Sequence, residues 1–212
     1  MTSLARDARV CAIVLAFGVS ALPGCALLRP ANIETSKGML SPAPLDIPKK
    51  TNCGATLLVF PPQTQPIYDT TQMAYTIQVH QVAHFSRHEW AETPSRMLLP
   101  LLVSALQSAG CFNAVVTPPF PYAYTHALRT EIVELLQDFT AQPAVLHLSL
   151  RVQLGDDTAG RVIAGKEITV HEPMPLRTPE GGVIAANAAA AKTLREVVSF
   201  VLAATSSARS RP

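Results

Sequence analysis

The chain has no G-x-x-x-x-G-K-[ST] loop, no G-x-G-x-x-G turn and no G-x-S-x-G elbow. The usual sequence basis for a motor ATPase, a dinucleotide enzyme or an α/β-hydrolase is therefore missing. No CxxC pair or Cys/His spacing suits a structural zinc site, and His88-Glu89-Trp90-Ala91-Glu92 lacks the second histidine of a metalloprotease helix. Charge is also scarce. Charged residues make up 15% of the chain, and 17 basic against 15 acidic residues leave a net +2. The basic positions are scattered, and the pair Arg209 and Arg211 is too short to form an arm, so there is no footprint for nucleic acid. There is a single tryptophan, Trp90. Beyond residue 25 no apolar run is long enough to span a bilayer, which needs about 20 residues.

The one long apolar run, residues 10–25, follows Arg6 and Arg9 and stops at Leu22-Pro23-Gly24-Cys25. A positive start, a short apolar segment and a small residue before the cut define a secretory signal. Leu22, Gly24 and Cys25 stand at −3, −1 and +1 of that cut and resemble the lipobox of bacterial lipoproteins, in which the thiol is lipidated and becomes the new N-terminus. The plainer alternative is an ordinary signal peptide with an incidental cysteine; the position of Cys25 right at the end of the run favours lipidation. Several acyl chains, at about 0.8 kcal/mol per buried methylene, would hold the protein on its membrane almost irreversibly. Ala26, rather than an aspartate, follows the cysteine, and by resemblance to the enteric sorting rule this points to the outer membrane, facing the periplasm.

Four segments are expected: signal peptide 1–24, lipidated Cys25 with a flexible tether to residue 52, a folded domain over 53–205, and a disordered tail 206–212. Pro30, Pro42, Pro44 and Pro48, with little periodicity around them, suggest the tether. Residues 55–60 read as a buried strand stopped by Pro61-Pro62. Residues 74–79 alternate as a strand, and residues 82–85 are either its hairpin partner or its continuation. Thr93-Pro94 is an N-cap with proline at the first helical position, opening a helix over 94–109 that ends at Gly110 and contains Pro100. A third strand follows at 112–116. Residues 128–139 fit a long strand or a helix. Residues 144–154 and 161–171 form an antiparallel hairpin around Asp156-Asp157, and residues 185–203 form a final helix. The sum is an α/β fold: a single mixed β-sheet with helices packed on it, expected as a three-layer sandwich.

The unit strand 55–60, helix 94–109, strand 112–116 is a crossover that makes its two strands parallel. Cys53 and Cys111 then fall at the same edge of the sheet. They either bridge, for about 4 kcal/mol in the chain-entropy model, or remain two buried thiols. His80, His84 and His88 recur every four residues, but on strand-like and loop sequence, where they read as ordinary histidines rather than a metal face. Trp90, just before the N-cap, reads either as a lid on the core or as a partner contact.

Met73-Ala74-Tyr75, the stretch His84-Phe85-Ser86-Arg87-His88-Glu89-Trp90-Ala91-Glu92-Thr93-Pro94-Ser95-Arg96-Met97-Leu98-Leu99-Pro100, and Gly110-Cys111-Phe112 occur in that order. With the 144–172 hairpin and the alanine-rich opening of the last helix, they resemble the ABC-type transport auxiliary lipoproteins, the PqiC-like companions of mammalian-cell-entry (MCE) lipid transporters. The resemblance covers roughly residues 55–204. It implies a non-enzymatic helper with no cofactor, no metal and no catalytic residues. Its partners would be an MCE-domain protein with its permease and ATPase, and the resemblance implies a homo-oligomeric ring around the MCE needle. On this reading Tyr75, Phe85, Trp90 and Met97, with the 94–109 helix, are the expected docking residues. A lipid-binding carrier and, more remotely, a periplasmic hydrolase are the competing readings.

Overall fold

Strict alternation over one strand sets the architecture. In β8 (Val145–Asp156) the side chains of Leu146, Leu148, Leu150, Val152 and Leu154 are all buried, while His147, Arg151 and Gln153 point the other way. A period of two on a half-covered strand gives this division. In the computed structural model, residues 35–41, 46–51 and 53–209 are described. Cys25, its signal peptide and residues 26–34 lie outside them.

β8 is flanked by β9 (Arg161–Pro173) and by β7 (His126–Asp138), both antiparallel to it. The far edge of β7 is shared in succession by three short parallel strands: β2 (Thr56–Val59), β3 (Gln63–Thr64) and β4 (Gln72–Thr76). β5 (Ala83–Trp90) folds back antiparallel on β4, β1 (Ser36–Gly38) runs parallel to β5, and β6 (Ala114–Val116) runs parallel to β2. All nine strands form one mixed sheet. The segment 82–85 is thus the start of a true hairpin partner. Its turn contains no glycine; His80 takes the left-handed conformation instead, with φ 67°. The segment 128–139 is the spine strand β7, and the crossover strands β2 and β6 pair in parallel.

Two helices, α1 (Pro94–Ser108) and α2 (Pro179–Arg209), lie on the same face of the sheet. α1 sits over β2, β3 and β6, α2 over β8 and β9, and the helices touch each other. Leu98, Leu102 and Leu106 of α1 and Leu194, Val197, Val198 and Val201 of α2 close on Leu57, Leu128, Ile132, Leu150 and Leu154 in one core. The fold therefore has two layers, not the three expected. Arg129, Glu131, Arg151 and Gln153 line the opposite side of the sheet, and its small apolar cluster of Ala74 and Leu136 is covered by Tyr68 rather than by a second helical layer.

The ends also depart from expectation. Residues placed in the tether belong to the domain: β1 pairs with β5, Leu40 and Ile47 are buried, and the chain lies along α2. Asn187 bonds the backbone at Met39 and Ser41, Arg195 donates to the Asp46 carbonyl at 3.0 Å, and the Lys50 amide donates to Ala109 at 3.0 Å. Proline carries no N–H, so a segment rich in it makes few ladder bonds, and the backbone groups around it find partners on the neighbouring helix instead. Gly38 lets it come close, since a Cβ there would sit 2.5 Å from Val183. At the other end the helix runs from Pro179 to Arg209, so residues 206–209 of the expected tail are helical; Ser206 accepts from Lys50.

Candidate docking surface

The four side chains expected to dock a partner do not share a surface. Trp90 ends β5 and is only 2% exposed; its amide donates to the Thr71 carbonyl at 2.6 Å and it stands opposite Gly38 of β1. Met97 is buried in the same core. Both side chains lie in the core between the sheet and the helices, packed with Leu98 and Leu102. Tyr75 and Phe85 are half-buried and stacked, with ring centroids 4.2 Å apart, and Phe139 meets both edge-on at 6.3 and 6.2 Å. Such aromatic pairs stabilise by about 0.5–1.5 kcal/mol beyond their burial. Arg177 caps the group, its guanidinium 5.6 Å from the Phe139 ring and bonded to the carbonyls of Phe139 and Ala141. Tyr75 and Phe85 are one cluster, chiefly structural.

Cys53 and Cys111 form a disulfide with Cα atoms 4.9 Å apart. The three histidines go separate ways: His80 lies in the β4–β5 turn, the His84 ring meets the Ile67 carbonyl at 2.9 Å, and His88 stands 3.3 Å from Glu180. Among the described residues no three His, Cys, Asp or Glu side chains are grouped to hold a metal ion. No helix among them is long and apolar enough to cross a membrane.

The open sheet face is built of cross-strand pairs. Arg151 on β8 bridges Glu131 on β7 (2.5 Å) and Glu167 on β9 (3.2 Å), its direct neighbours in register. Arg129 lies over the Phe60 ring at 4.4 Å. These groups line a shallow cleft of about 190 Å³ with Gln63 and Gln153. Further along, His147 and His171 face each other with ring centroids 4.4 Å apart, and His147 reaches Asp138 at 3.6 Å and Glu134 at 3.8 Å. Beside them Tyr68 packs on Ala74 and Leu136; burial, with the nearby Glu134 charge, pushes its hydroxyl up to about 12. Sequence reading passed over this ladder because its members alternate on three strands whose pairing was not yet fixed.

Three carboxyls sit below their ordinary values. Partial burial raises Asp138, but the Thr140 hydroxyl and amide and the His147 ring outweigh it. Asp156 is held down by the Thr158 hydroxyl and the Ala159 amide, and Glu180 by its own backbone amide, the Thr178 hydroxyl and His88. A carboxyl lowered on folding adds stability above its unfolded pKa, and that stability is lost as pH falls through the folded value. The urea midpoint is accordingly expected to drop as pH is taken below about 4, the ordinary carboxylate range. A midpoint that rose on acidification there would contradict these contacts.

The domain thus has one helix-covered face and one polar, laddered face, on which Arg129, Glu131 and Arg151 line a shallow cleft. Residues 39–198 match the model of the ABC-type transport auxiliary lipoprotein component, and the chain belongs to that family. No curated protein matches the sequence. Among solved structures, protein XCC0632 from Xanthomonas campestris is similar with a TM-score of 0.68 and 20% identity, over 84% of this chain and 98% of that one. A second, an uncharacterized protein, gives 0.62 and 11% identity over 79% of this chain and 99% of its own. Both likenesses concern the fold.

Proposed function

We propose that this lipoprotein is anchored in the outer membrane through Cys25, faces the periplasm, and serves as the non-catalytic helper of an MCE-type ABC transporter that moves phospholipid or another lipid between the two membranes. Family membership over residues 39–198 carries the reading, and the apolar run ending at Cys25 supports the anchor. The MCE-domain protein, with its permease and ATPase, is the partner, and a ring of copies around it is the arrangement the resemblance implies. The open face is its docking side. Arg129, Glu131 and Arg151 there suit polar contact with a protein better than acyl chains, which favours an adaptor over a lipid carrier.

Co-purification from solubilised envelopes tests this. Tagged full-length protein is expected to bring down an MCE-domain protein, and Arg129→Glu with Arg151→Glu is expected to abolish that capture in protein that still folds. The reversal sets like charges opposite Glu131 and Glu167, which lowers the melting temperature somewhat, at about 0.2–1 kcal/mol per cross-strand pair. Capture that survives the double charge reversal would move the docking side elsewhere; no MCE protein in crosslinked wild-type material would defeat the reading itself.

A further inference from the structure

Exposed apolar side chains gather at one end of the sheet. Ile77, Val79 and Val82 in the β4–β5 turn are 64%, 71% and 39% exposed, and Leu176, between β9 and α2, is 56% exposed. Register puts these segments in one row: Thr76 pairs with Asp138, Asp138 with Val145, and Val145 with Pro173. The chain leaving β4 and the chain leaving β9 therefore emerge from the same end. Turn 77–82 reads Ile-Gln-Val-His-Gln-Val, with none of the glycine, asparagine or aspartate that hairpin turns favour. Large side chains held in water at a turn do nothing for the fold. An apolar group of this kind marks a contact with a protein or a membrane.

The path of the N-terminal chain decides between them. β1 runs parallel to β5, with Ser36 opposite His88 and Gly38 opposite Trp90. Its N-terminal end thus looks back along β5 toward Ala83 and the turn, about 17 Å away at about 3.4 Å per residue. The roughly ten residues between Cys25 and Thr35 can stretch to about 35 Å at most. An acyl anchor at Cys25 is thereby within reach of the plane in which Ile77 and Val79 stand.

We propose that the β4–β5 turn, with Leu176 beside it, is a membrane-contact site whose Ile77, Val79 and Val82 side chains enter the interface of the same bilayer that holds the Cys25 acyl chains. This inference rests on the anchoring proposed above. The turn needs little affinity of its own, because a tethered group meets the surface at a high effective concentration. What it contributes is orientation: a single flexible tether leaves the domain free to tumble, and a second contact turns its hairpin end to the lipid and the β8–β9 turn away from it.

Full-length lipidated protein in vesicles of phosphatidylethanolamine and phosphatidylglycerol provides the test, with an environment-sensitive fluorophore on Val79→Cys or, at the opposite end, on Val162→Cys. Nitroxides on the lipid acyl chains are expected to quench the Val79→Cys probe several-fold more than the Val162→Cys probe. Introducing Ile77→Ser and Val82→Ser should reduce that quenching while vesicle flotation persists through Cys25. Equal, weak quenching at both positions in protein that floats with the vesicles would overturn the contact site and leave the anchor standing. So would a Val79→Cys probe shielded from aqueous iodide but untouched by the lipid nitroxides, which would mean that protein covers the turn. Protein that neither floats nor incorporates palmitate in cells would remove the anchor, and the inference with it.

Discussion

Trp90→Ala is expected to lower the stability of the folded domain by about 3–5 kcal/mol, the usual cost of deleting a large buried aromatic side chain. Trp90 is 2% exposed and belongs to the single large core. Its backbone is fixed on both sides, by the Thr71 carbonyl and by register with Gly38, so the site cannot collapse readily to fill the void. Domains of this kind have only about 5–15 kcal/mol in total, and the variant would sit near the edge of unfolding. Urea denaturation should show a lower midpoint with an unchanged slope, and Trp90→Phe should recover much of the loss. An unchanged midpoint would return Trp90 to the surface. The result also governs how partner capture is read. Loss of an MCE-domain protein on Trp90→Ala reports a failing fold, whereas loss on Arg129→Glu with Arg151→Glu, in protein that still melts cooperatively, reports the docking face.

What the sequence disclosed followed from how local each signal was. Leu146 to Leu154 alternate without a break, so β8 and its hairpin with β9 could be read directly; Thr93-Pro94 and Gly110, which takes φ 68°, bracketed α1. β7 was ambiguous because its ladder shifts register between Ile132 and Glu134, and that shift breaks the period of two in its side chains. Residues 35–41 and 46–51 were mistaken for tether because the buried Leu40 and Ile47 stand near prolines, and their neighbours Met39, Ser41 and Asp46 bond to residues near the other end of the chain, Asn187 and Arg195. The burial of Trp90 and Met97 was hidden for a related reason. They carry the family resemblance together with the half-buried Tyr75 and Phe85, but the irregular register of β5 on β4 and the packing of the helices over it are not visible in the local sequence. The charge ladder of Glu131, Arg151 and Glu167 was equally hidden, since it exists only when three strands are in register.

Reducing the Cys53–Cys111 disulfide is expected to lower stability by about 4 kcal/mol, comparable to the loss at Trp90. The bridge closes a loop with a sequence separation of 58, and in the chain-entropy model a loop of that length restricts the unfolded ensemble by roughly this amount. The native geometry accommodates it. β2 and β6 are parallel neighbours with Thr56 opposite Ala114, which brings Cys53 and Cys111 to the same end of the pair, and the Cys53 amide already donates to the Cys111 carbonyl at 2.6 Å. Cα atoms 4.9 Å apart lie within the range that disulfides occupy. Both sulfurs are buried, so dithiothreitol should act slowly on the folded protein and quickly once urea opens it. Wild type should lose midpoint in the reductant, while Cys53→Ala with Cys111→Ala should start low and not respond. Two free thiols in oxidised, unfolded wild type would remove the bridge from the account. The loop it closes spans β2 to β5 and the whole of α1, so the bridge steadies the parallel pair under α1 and the hairpin that ends in turn 77–82. An oxidising environment is therefore a condition of the domain's full stability, and protein made without residues 1–24 in a reducing cytoplasm should unfold at the lower, reduced midpoint.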